Sequence, residues 1–193
     1  MNQKSRFSTK QMVIIGLMAA LVFIFSKFRI DIPSPLGKTG IHFGNIICLL
    51  AGMLFGAVPG GLAAGIGSAL LDLSDPTFAP EFWITFLTKF AMGYVAGYLN
   101  FHITRFEKGK VWLAGGLGSA TYVLLYGIKN ILMGHWVKGF PWEAAILETL
   151  TLKIPVSALN GVIAVICAVI LYQLLFPSLS KAGLLKSSSY AVL

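Results

Sequence analysis

Six apolar stretches occupy the chain from Gln11 to Phe176, and the polar breaks between them are too short to hold a soluble domain of any size. Of the 193 residues, 56% are hydrophobic and only 11% charged, whereas a soluble domain carries roughly 25% charged residues. The chain therefore reads as an integral membrane protein whose residues 1–193 form a single membrane domain. The basic region before the first apolar run resembles the start of a signal peptide. No small-x-small cleavage pattern follows Phe25, so a retained first helix is expected.

The charges supply the orientation. Net charge is +8, but the basic residues gather at Lys4, Arg6 and Lys10, at Arg105, Lys108 and Lys110, and at Lys181 and Lys186. These are the flanks of apolar runs, where the positive-inside rule explains them and no nucleic-acid partner is needed. Both termini are then cytoplasmic, with residues 1–10 as an inner leader, 27–43 as a long outer loop and 177–193 as an inner tail. Six of the seven acids fall outside or near the outer surface, and Glu107 is the exception.

The expected architecture is all-α, a bundle of six transmembrane helices. Helix 1 covers about Gln11 to Ser26, and the loop after it carries Pro33, Pro35, Gly37 and Gly40, long enough to fold over something as a lid. The run from Gly44 to Leu71 is expected to be two short helices turning at Pro59-Gly60. A single helix would put the acidic stretch Asp72 to Glu81 inside and reverse the charge bias. Helices 4, 5 and 6 follow at about Phe82 to Phe101, Val111 to Leu132 and Thr151 to Phe176.

Small residues recur at spacing four in Gly16/Ala20, Gly61/Gly65, Gly93/Gly97 and Gly116/Ala120. In lipid such rows let helix backbones approach, within the bundle or against another subunit. Helix 1 is singled out as a docking face through Gly16 and Ala20, because it precedes the lid-like loop.

Lys89, Lys129 and Lys153 stand at the outer ends of the last three helices. An ammonium in hydrocarbon is costly, so such lysines pair, snorkel or line a polar cavity. Lys89 lies about 10 Å from the start of its helix, too deep for an ordinary end residue. Asn130 and Asn160 sit near the other two lysines. Trp83, Phe86, Tyr126, Asn45 and Tyr122 gather at the same level, and His42 ends the outer loop. Together they suit the aromatic walls and few directed polar groups of a small-solute pocket. Trp112 and Trp142 read as interfacial belt residues. No phosphate loop, nucleophile–base pair or metal-ligand spacing is present, so neither a cofactor nor a metal is expected, and ATP would have to be hydrolysed elsewhere. Cys48 and Cys167 fit no metal spacing.

The stretch Ile41-His42-Phe43-Gly44-Asn45, the run Leu50 to Gly56, then Gly60 to Ser68, and finally Phe82 to Phe90 with Gly93 resemble, in that order, the substrate-binding S component of an energy-coupling factor (ECF) vitamin transporter. The resemblance implies high-affinity capture of a micronutrient at the outer face of a bacterial plasma membrane by helices 4 to 6 and the first loop. It also implies partnership with a transmembrane coupling subunit and two ATPase subunits, which the absent phosphate loop agrees with. Family members pack an Ala-x-x-x-Ala row of helix 1 on the coupling subunit, where this chain has Gly16-x-x-x-Ala20. The region from Asp75 to Trp83 looks most like members assigned to hydroxymethylpyrimidine or vitamin B6, while the lysines point toward an anion such as pantothenate. A stand-alone secondary carrier and a membrane enzyme or assembly factor are the rival classes; uptake without an ATPase partner, or a bound lipid substrate, would mark them.

Overall fold

The computed structural model describes residues 8–34, 37–102 and 108–185. The leader before Ser8, the inner loop with Arg105 and Glu107, and the tail beyond Leu185 lie outside the described residues. Six helices are described: α1 (Thr9–Lys27), α2 (Gly44–Phe55), α3 (Ala57–Leu73), α4 (Phe82–His102), α5 (Lys108–Trp136) and α6 (Trp142–Lys181). Three of them, α1, α5 and α6, are long and apolar enough to cross a membrane by length and composition. The 21 residues of α4 would also reach, but this helix buries the polar side chains Thr88, Lys89 and Asn100.

Four expectations need correction. The outer loop is not irregular: β1 (Arg29–Ser34) and β2 (Gly37–His42) form an antiparallel hairpin with Arg29 opposite His42 and Ile32 opposite Thr39, so the fold is not purely helical. Ile30, Ile32, Thr39 and Ile41 are β-branched residues suited to a pleated ribbon, a signal that the prolines and glycines of the loop obscure. The break between α2 and α3 falls at Gly56 rather than Pro59-Gly60. Gly56 adopts φ +93°, which glycine alone reaches cheaply, while Pro59 sits in the first turn of α3, where a missing N–H costs nothing.

The last helix starts at Trp142, ahead of the expected Thr151, and continues through Pro177 to Lys181, so part of the expected tail is helical. Within it, Thr149–Lys153 is a π-helical turn. Pro155 cannot donate to the carbonyl of Thr151 four residues back, and a widened turn accommodates that loss. Finally, α5 extends a turn beyond both expected ends.

All twelve residues of α2 are buried, as befits a helix apolar on every side and placed at the centre. Its contact with α3 and α4 depends on glycine. A Cβ on Gly93 would stand 2.7 Å from the Gly60 carbonyl oxygen, and one on Gly52 would collide with the Gly93 carbonyl. Gly61 and Gly65 accept the rings of Phe90 and Phe86. Gly16 differs: nothing lies within 4 Å of its missing side chain, and both it and Ala20 are exposed.

Candidate functional site

A cavity of about 110 Å³ lies beneath the hairpin, between the hairpin-side halves of α3, α4, α5 and α6. That space holds several waters or a solute that replaces them. The three lysines meet different fates around it. Lys129 on α5 pairs with Glu81, whose other oxygen is 4.0 Å from Lys138. Lys153 donates to Asn130 Oδ1 at 3.1 Å and lies 3.7 Å from Glu148. Lys89, only 4% exposed, donates to Asn45 Oδ1 and stands 3.6 Å from the centre of the Tyr122 ring.

Among the described residues Lys89 has no carboxylate within ion-pair distance. One amide oxygen and one aromatic face leave part of its three-donor capacity for an acceptor in the cavity. The wall also contains Asp72 and Thr85.

The hairpin is fastened from three directions. Arg29 reaches Asp75 at 2.7 Å, in the turn after α3, as well as Asp31 of its own strand at 3.0 Å. Thr39 Oγ1 lies 3.3 Å from the Tyr126 hydroxyl, and Ser34 donates to Glu148 at 2.7 Å. The Thr77 backbone N–H and the Arg29 guanidinium hold the Asp75 carboxyl below its ordinary value. The Arg29–Asp75 fastening is therefore present above the usual carboxylate range and is lost only as pH falls through the lowered value.

Of the residues singled out in the sequence, His42, Lys89, Tyr126, Lys129 and Asn160 line the cavity. Asn45 lies behind it, holding Lys89. Asn130 and Lys153 form an adjoining cluster with Glu148, in which Asn130 also donates to the Tyr126 carbonyl at 2.7 Å. Trp83 and Phe86 do not join this group: they border an outward apolar surface with Ala69, Phe82 and Leu87, and Trp83 is 54% exposed. Successive steps of three along a helix drift by about 60° each, so positions 86 and 83 rotate progressively away from Lys89. Thr85, four residues back, stays on the cavity side; helix spacing could have found it. Arg29, Asp31, Asp72 and Ser157 also line the cavity without a sequence signal that marks them.

Among the described residues, four polar side-chain atoms are buried without a hydrogen-bond partner: His42 Nδ1, Asn45 Nδ2, Thr149 Oγ1 and Ser157 Oγ. Two of these residues, His42 and Ser157, face the cavity itself. Buried polar atoms ordinarily find partners, so their gathering here suits a site completed by a solute or water.

The family model of the ECF-type riboflavin transporter S component matches residues 6–176. The chain belongs to this family. The fold agrees: a solved S component of a bacterial ECF transporter superposes with a TM-score of 0.64 at 19% identity, covering 88% of this chain and 97% of that one. FolT bound with folic acid gives 0.57 at 24% identity, covering 86% and 93%. Among sequence relatives, a UPF0397 protein of Lactiplantibacillus plantarum is 31% identical over 139 residues, 71% of this chain and 69% of its own length. An uncharacterised protein of Pyrococcus woesei is 34% identical over 107 residues, 54% of this chain and 69% of its own.

Lys89 and Lys129, two of the lysines lining the cavity of this S component, are separable by stability. Lys129→Met would leave the nearly buried Glu81 with only its 4.0 Å contact to Lys138, and the loss of one partner of such a pair costs about 3 kcal/mol or more. Lys89→Met strands no carboxylate. In detergent, Lys129→Met is expected to lower the unfolding temperature by several degrees more than Lys89→Met; equal losses would make both lysines structural.

Proposed function

We propose that this S component captures a small, uncharged heteroaromatic vitamin or precursor, of the hydroxymethylpyrimidine or vitamin B6 type, in the cavity under the hairpin. The charge balance of the wall carries this reading. Arg29 and Lys38 share Asp31 and Asp75, and Lys129 is matched by Glu81. Lys89 and Asp72 are left, one of each sign. A solute that offers an acceptor to Lys89 and a donor to Asp72 satisfies both, whereas the lone carboxylate of pantothenate would leave Asp72 facing a like charge. Tyr122, Tyr126 and Phe78 supply aromatic surface for a planar ring. His42, Asn160 and Ser157 are assigned to the solute as further polar contacts. Asn45 positions Lys89, and Asn130 and Lys153 brace the wall.

In this reading all six helices cross the bacterial plasma membrane, with both termini on the cytoplasmic side and the hairpin outside. A transmembrane coupling subunit and two ATPase subunits drive release. The exposed row of Gly16 and Ala20 on α1 is the docking face, since backbone can approach closely there.

Calorimetry on the purified chain with hydroxymethylpyrimidine, pyridoxine, pantothenate and riboflavin, the solute in the family's description, tests the substrate class. One of the uncharged rings is expected to bind at least about a hundredfold more tightly than pantothenate, a difference near 2.7 kcal/mol. Preference for pantothenate would overturn the substrate class, and failure to bind any vitamin would overturn capture at this site. For the docking face, Gly16→Leu is expected to abolish co-purification with the coupling subunit while solute binding survives. An intact complex would remove Gly16 from the interface.

A further inference from the structure

We infer that His42 makes the opening of the hairpin proton-linked, so that the closed arrangement holds at neutral pH and gives way in mild acid. The inference concerns the hairpin and does not depend on which solute the cavity takes. His42 ends β2 opposite Arg29, at the foot of the hairpin, and lines the cavity. Nδ1 is buried and has no hydrogen-bond partner among the described residues. A neutral ring can present an acceptor lone pair or a single N–H there; a protonated ring has two donors to satisfy.

The neighbouring charges oppose that second proton. From β1 comes Arg29, fastened to Asp31 and Asp75, and from α4 comes Lys89. On α5 the facing groups are Lys129, held by Glu81, and the phenols Tyr122 and Tyr126. From α3 comes Asp72. The cavity-facing side chains of α1 and α6 are the uncharged Ser26, Ser157 and Asn160. Burial first, then Lys89 and Arg29, hold the imidazole of the closed form well below its ordinary value.

Opening admits water to the cavity and returns the ring to about 6.5. The closed form thus binds fewer protons than the open one, and closure is favoured above that value. Below it, the open-to-closed ratio rises about tenfold per pH unit until the closed-form value is reached. The Arg29–Asp75 pair, with its carboxyl lowered, releases only at more acid pH than the imidazole.

The test reads the open population through a cavity thiol. In a Cys167→Ala background, Thr88→Cys places a thiol on the cavity wall, and Glu143→Cys supplies an exposed reference. Modification by a small neutral methanethiosulfonate is measured without solute, with the Thr88→Cys rate divided by the reference rate at each pH. From pH 6.5 to 5.5 the normalised rate is expected to rise severalfold, approaching the tenfold limit of one proton. With His42→Gln added it should stay flat; His42→Phe, which fills similar space, serves if the glutamine variant does not fold. A flat profile with His42 present, or the same rise without it, would overturn the inference.

Discussion

An ammonium inside a helix bundle has to be compensated or hydrated, and Lys89 obliges the hairpin-side half of this fold to do so. Its position at the second turn of α4 leaves it too deep to reach the surface by stretching. Asn45 on the central helix supplies an acceptor and Tyr122 on α5 supplies a ring face. Those two contacts link three helices around one charge while leaving it a donor to spare. The cavity follows from this arrangement, since filling the space with apolar side chains would bury the remaining donors unsatisfied.

Two other features hold that arrangement in place. Near the middle of the bundle, Gly52, Gly60, Gly93 and Gly97 let α2, α3 and α4 cross with backbone against backbone, and this close packing fixes where α4 aims Lys89. At the outer end, Lys129–Glu81 and the Lys153, Asn130 and Glu148 cluster place the remaining charges in matched sets. The π-helical turn before Pro155 sits within that second cluster and carries Lys153 inward. The hairpin fastens to both sides of the same rim, through Asp75 and through Glu148.

Much of this was legible in the sequence because it rests on one-dimensional signals. Apolar length and basic flanks indicated the helices, and a lysine two turns into an apolar run marked Lys89. What escaped depends on contacts between distant segments. Arg29 looks like an ordinary flank residue until the hairpin brings it to Asp75, and Glu81 looks like loop acidity until α5 presents Lys129. Trp83 and Phe86 stand at the level of Lys89 in the sequence, but packing against α3 and the rotation of the helix turn them outward. Gly56 was overlooked because Pro59-Gly60, three residues on, carries the stronger turn signature.

The central claim is that Lys89 meets the solute directly, in the cavity that the hairpin covers. Calorimetry with the solute that co-purifies with the parent protein, identified by mass spectrometry, tests it on Lys89→Met, which keeps much of the side-chain length and removes the charge and donors. A charge-assisted hydrogen bond is worth about 1.5 kcal/mol or more, so the affinity is expected to fall at least about tenfold with the fold intact. An affinity equal to that of the parent would contradict the account.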